Sequence, residues 1–146
     1  MPARVIESAF SPADELAGFE SAQASGAVGA TASFVGTMRN HNEGDAVARM
    51  TLEHYPAMTQ RELDKIIDDA MSRWPLIDAL IVHRVGDILP GEPIVLTAVV
   101  SAHRAAAFDA CRFLMEALKS EATFWKKETL ADQSERWVEK NTPGYS

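Results

Sequence analysis

The sequence has 146 residues and a mass of 15.9 kDa, enough for one ordinary domain. At 47% hydrophobic and 24% charged it can build a real core and is not a disordered chain. One cysteine excludes a disulfide framework or a cysteine-rich zinc module, nothing approaches the roughly 18 apolar residues of a membrane span, and a net charge of −7 argues against a generic nucleic-acid binder. The first ten residues include Arg4 and Glu7 and no long apolar run, so no signal peptide is expected. A single domain over 1–146 in the cytoplasm is the expectation. Residues 1–102 carry 7 basic and 14 acidic side chains, and residues 103–146 carry 7 of each. An anionic ligand would seek the cation-richer last third, or a seam with Arg39.

Ser11-Pro12-Ala13-Asp14 reads as a helix start, with a hydroxyl cap, proline at the first position and acid in the first turn. Leu16 and Phe19 give that helix a short apolar face, and it should end before Gly26. Residues 26–35 read as a strand of small residues that another backbone or a ligand can approach closely. A polar loop over 40–45 should lead to a second strand at 47–55, antiparallel to the first. Pro56 opens a longer helix with Leu63, Ile66, Ile67, Ala70, Met71 and Trp74 at helical spacing, stopped by Pro75. Residues 77–85 and 94–101 are β-branched apolar runs joined by a Gly/Pro-rich turn. A third helix over 105–118 should turn Phe108, Cys111, Leu114, Met115 and Leu118 inward. Residues 124–128 and 136–139 read as short strands. Helices and strands do not alternate strictly, which argues for an α+β fold with a largely antiparallel sheet.

The glycines Gly26, Gly29 and Gly36 lack dinucleotide-fingerprint spacing, and no phosphate loop or nucleophile elbow is present. The four histidines lack metal-ligand spacing, so no metal site is expected. Cys111 reads as a small buried hydrophobe rather than a nucleophile. The cations are more informative. Arg39 follows a glycine-bearing strand end, and His103-Arg104 sits where a strand becomes a helix, a usual place for anion contacts. Lys119 ends that helix. On the strand 124–128, alternation puts Phe124, Lys126 and Glu128 on one face and Trp125 and Lys127 on the other. Lys127 alone reads as a solvated surface charge. Lys126 shares a face with an aromatic ring, and clustered cations with partial burial depress a lysine pKa.

Several segments then fall into a known pattern. Phe34-Val35-Gly36-Thr37-Met38-Arg39-Asn40-His41-Asn42 and Leu52-Glu53-His54-Tyr55-Pro56-Ala57-Met58 are the first two. His83-Arg84-Val85-Gly86 with Pro90-Gly91-Glu92, and Ser101-Ala102-His103-Arg104 with Ala107-Phe108-Asp109-Ala110-Cys111, follow. Leu118-Lys119 and Phe124-Trp125-Lys126-Lys127-Glu128 complete the series. In order and spacing, up to Trp137, the chain resembles the family of molybdopterin synthase large, catalytic subunits. One departure is Thr123, where the family usually has proline; a small effect on loop order is expected.

The resemblance implies an α/β-hammerhead type of α+β fold. It implies a sulfurtransferase of molybdenum cofactor biosynthesis that needs no cofactor of its own. It implies a homodimer within a heterotetramer, each large subunit docking a small ubiquitin-like subunit. The small subunit's C-terminal Gly-Gly thiocarboxylate would deliver sulfur to cyclic pyranopterin monophosphate. It further implies Lys119 and Lys126 as catalytic residues. Thr37, Met38, Arg39, His103, Arg104, Lys119, Lys126, Lys127 and Glu128 would bind substrate, with the His-Arg pair supplied by the neighbouring subunit. Phe34 and Met115 are candidate pocket walls, with core the preferred reading of both. Two other readings stay open at this point: a binding module that captures a peptide tail on a sheet edge, and an acyl- or sulfur-transfer enzyme working through Cys111.

Overall fold

The computed structural model describes residues 2–138. The elements run β1 (Ala3–Ile6), α1 (Pro12–Ser21), β2 (Ala30–Thr37), β3 (His41–Asn42), β4 (Asp45–Glu53), α2 (Pro56–Arg73), β5 (Leu76–Arg84), β6 (Gly86–Ile88), β7 (Pro93–Ser101), α3 (Arg104–Glu121), β8 (Trp125–Leu130) and β9 (Glu135–Val138). Glu139, expected in the last strand, lies outside the described residues.

The first sheet has the order β1-β5-β7-β2, antiparallel except for the parallel β1–β5 pair. The central strand β7 is covered on both faces, which is why its sequence is a continuous apolar run. On one face Ile81, Val95 and Val99 meet Leu63 and Ile66 of α2 and Ala107 and Leu114 of α3. On the other, Leu80, Val82, Leu96 and Ala98 meet Leu16 and Phe19 of α1. The expected apolar face of α1 is thus present, and Ser11 Oγ caps the helix by accepting the Asp14 N–H at 3.2 Å.

The second sheet has the order β3-β4-β8-β9, with β6 on the other side of β4. It curls over a smaller core of Met38, Val47, Met50, Leu52, Val85 and Ile88. The fold is therefore α+β and largely antiparallel, as expected, but its strands form two sheets.

Three expectations need correction. The strand 47–55 does not pair with the first strand: β2 pairs with β7, and β4 pairs with β3, β6 and β8. After a register shift at Gly36/Thr37 the β2–β7 ladder makes its last pair, Thr37 with Pro93, and Met38 turns away, its N–H donating to Glu92 O at 3.0 Å. The polar loop 40–45 is instead a small hairpin, turning at Glu43 and Gly44, which both have positive φ. Phe108 is not inward: it is 68% exposed, because the buried stripe of α3 runs through Ala107, Ala110, Cys111, Leu114, Ala117 and Leu118.

Small residues before β2 do allow close approach. Gly29 donates to Ser101 O at 3.0 Å, and a Cβ at Gly29 would stand 2.1 Å from the Ala102 carbonyl oxygen. Among the described residues, no helix is long and apolar enough to cross a membrane.

Candidate active site

Two concavities meet beside the end of α3. A groove of about 620 Å³ runs between Thr31–Phe34 of β2 and one face of α3, lined by Phe108, Cys111, Arg112, Met115, Glu116 and Lys119. Those helix positions recur at three- and four-residue spacing, so they form one stripe. From Phe108 to Lys119 it extends about 16 Å at 1.5 Å per residue. An inner cavity of about 280 Å³ lies between the two sheets; its polar lining is Thr37, His83, Lys119 and Lys126. Phe34, Met115 and Lys119 line both spaces. Phe34 and Met115, for which core was the preferred reading, are therefore walls instead.

Lys119 stands in the last turn of α3, and Lys126 is the second residue of β8, opposite Leu52 of β4. Lys119 keeps contact with solvent. Burial of its amine, and secondly the Lys126 charge, nevertheless hold its pKa below the ordinary lysine range. Such an amine releases a proton more readily and still carries positive charge while protonated.

Strand alternation on β8 is as expected. Phe124 and Lys126 face the inner cavity. Lys127 faces outward, 3.6 Å from Glu135 and with its amine over the Trp137 ring. Glu128 shares the Lys126 face but is buried at 4% exposure, and both its oxygens are used internally. They accept from Asn42 Nδ2 and Arg136 Nε, each at 3.0 Å. Met38 is core at 6% exposure. Met38, Lys127 and Glu128, expected to bind substrate, therefore line neither space: one is packed, one points away, and one is already bonded.

The expected anion-binding residues lie apart from the lysines within one chain. Arg39 is exposed, two residues beyond cavity-lining Thr37. Its approach is fixed from behind. Met38 is bonded through both backbone groups to Gly91 and Glu92, and buried Arg84 pairs with Glu92 at 3.2 Å and donates to Asp87 O at 2.9 Å. His103 and Arg104 are exposed at the opposite end of α3. Arg104 and Lys119 are fifteen positions apart along the helix, about 22 Å.

Sequence reasoning read His83 only as part of a turn motif. The structure stacks its ring on Phe124, with centroids 4.1 Å apart and planes 13° apart. Its Nδ1 lies 2.9 Å from the Arg84 carbonyl oxygen. Burial, reinforced by the Lys119 and His54 charges and opposed by that hydrogen bond, pushes its pKa down to about 4. The available signal was a histidine at the end of a buried strand, but its partner Phe124 lies far along the chain.

Thr123 is tied to α2. Its N–H and hydroxyl donate to the two oxygens of Glu62, at 3.1 and 2.9 Å, and its carbonyl accepts from Thr59 Oγ1. This tether holds the approach to Phe124 where proline would have stiffened it. Cys111 is buried, 3.5 Å from Thr97 Oγ1, and burial pushes its thiol pKa up, the opposite of an activated nucleophile.

Residues 7–121 match the family model described as MoaE protein. A Ralstonia nicotianae protein named molybdopterin synthase catalytic subunit is 52% identical over 136 residues, 93% of this chain and 76% of that protein. The crystal structure of molybdopterin synthase from Staphylococcus aureus is similar at a TM-score of 0.83 and 27% identity, covering 93% of this chain and 96% of that one. A Helicobacter pylori structure, described as a complex of subunits 1 and 2 of molybdopterin-converting factor, shares the fold at a TM-score of 0.81 and 18% identity, covering 97% and 93%. With the family model matching most of its length and half its residues shared with a curated relative, the chain belongs to the MoaE protein family.

Proposed function

We propose that this chain is the catalytic subunit of a molybdopterin synthase, moving sulfur from a small subunit's C-terminal thiocarboxylate to cyclic pyranopterin monophosphate. The observation that carries this reading is Lys119 on the wall shared by the groove and the inner cavity. A reaction between a macromolecular tail and a small molecule needs two entries that converge on one reactive group.

The groove suits the tail. It follows β2, an edge strand of its sheet, and about 16 Å matches roughly five extended residues. Phe34 and Met115 stand where the groove meets the inner cavity, and a Gly-Gly tail carries no side chain past them. The inner cavity suits the pterin, with Arg39 just beyond Thr37 to hold the phosphate in a forked geometry. The thiocarboxylate arrives as an anion. Lys119 as ammonium stabilises that charge and the oxyanion of the acyl intermediate. Its lowered pKa also lets it exchange a proton during transfer. Lys126 is the second acid/base or phosphate-directing lysine.

His103 and Arg104 complete the site from the neighbouring subunit of a homodimer. The resemblance is the reason for placing them across a seam, and their separation from Lys119 along α3 is compatible with it. Each dimer would dock two small ubiquitin-like subunits, giving a heterotetramer; the Helicobacter pylori structure is described as such a two-subunit complex, of subunits 1 and 2 of molybdopterin-converting factor. The test is reconstitution from this chain, a thiocarboxylated small subunit and cyclic pyranopterin monophosphate. Dithiolene product is expected. Absence of product with all three present overturns the reading.

A further inference from the structure

Of the four polar side chains in the inner cavity, two are ammonium donors and one is a threonine hydroxyl. His83 is different. The Arg84 carbonyl can only accept, so the proton of the neutral imidazole sits on Nδ1. Nε2 is left with its lone pair, and no described residue donates to it. The Phe124 stack fixes the ring plane, and the backbone bond fixes its rotation. A fixed neutral acceptor thus lines a cavity whose charged groups all donate.

We propose that His83 is a specificity-determining residue, its Nε2 accepting a hydrogen bond from an N–H on the ring edge of the pterin seated in the inner cavity. This rests on the pterin reading of that cavity. A ring N–H that leaves water for a cavity needs a replacement acceptor, and lysine ammoniums cannot supply one. The same contact rejects ring analogues that present a lone pair at that edge. Burial first, and then the Lys119 charge, disfavour a proton on His83, which supports the acceptor state that the Arg84 bond and the Phe124 stack already fix.

The test compares three variants of the full chain by calorimetry, with cyclic pyranopterin monophosphate and inorganic phosphate as separate probes. H83F keeps a ring on Phe124 and removes both nitrogens. H83N keeps an amide nitrogen near the Nδ1 position but does not reach that of Nε2. H83Q places an amide oxygen near Nε2. H83F and H83N should weaken pterin binding about tenfold, the worth of one buried hydrogen bond. H83Q should recover to within about threefold, and phosphate affinity should stay unchanged in all three. Equal pterin affinity across the variants overturns the proposal. So does H83Q binding as weakly as H83F, or a parallel loss of phosphate affinity. Should H83F fail to fold, the H83N and H83Q pair decides. Wild-type protein that binds no pterin contradicts the functional reading itself, whereas wild-type binding with unaffected variants contradicts only the role of His83.

Discussion

Lys119 and Lys126 approach one cavity from different elements, the last turn of α3 and the start of β8, and the charge of Lys126 adds to burial in lowering the Lys119 pKa. The pair is therefore coupled. Lys126→Gln removes the Lys126 charge, so the Lys119 pKa should rise. Any step that needs neutral Lys119 is favoured as pH climbs through that pKa. The alkaline-rising limb of a single-turnover pH profile should then move to higher pH in the variant. An unmoved limb would show that the two amines do not act together.

A site shared across a dimer makes a complementation prediction. Lys119→Ala leaves Arg104 intact, and Arg104→Ala leaves Lys119 intact. Each variant dimer alone should be impaired. In randomly mixed dimers about half are mixed, each with one complete site of two, so about a quarter of the sites recover. Product assays at sub-saturating pterin, before and after subunit exchange, read this directly. If exchange restores nothing, His103 and Arg104 do not serve the neighbouring Lys119.

His83 gives the fold a pH signature. Its pKa is about 4 in the folded chain against 6.5 in the unfolded chain. Between those values the unfolded state binds more protons, so stability rises with pH. The contribution is fully present above 6.5 and is lost as pH falls towards 4, up to about 3 kcal/mol. Urea unfolding at pH 7.5 and 5 should show the loss in the wild type and a smaller one in His83→Phe. Equal slopes in both would remove His83 as the cause.

Much of the fold was legible because its strongest patterns are local. The α1 cap at Ser11, the apolar stripe of α2 and the doubly buried run of β7 each announce their own environment. Pairing is not local. β2 and β4 both alternate and are close in sequence, yet which strand each joins depends on the turn at Met38, held by Gly91 and Glu92. β1, β3 and β6 are too short to show a period.

The site divides in the same way. Alternation separated Lys126 from Lys127 correctly, since both sit on one strand. It could not show that Glu128 spends its carboxylate on Asn42 and Arg136, nor that His83 meets Phe124, because those partners come from other elements. Phe108 misled because helical spacing marks a face without saying how wide the buried stripe is.

If the proposed transfer runs through Lys119, its amine takes part in the chemistry. Single-turnover product formation in Lys119→Ala, Lys119→Arg and Lys127→Ala, with small-subunit binding measured alongside, decides this. Lys119→Ala should bind the small subunit and lose about 10²–10⁴ in rate, the usual worth of a positioned acid/base group. Lys119→Arg keeps the charge but cannot release a proton, and should stay impaired. Lys127→Ala, whose amine lies over Trp137 on the outer face, should be unaffected. A silent Lys119→Ala beside a damaging Lys127→Ala would contradict the account.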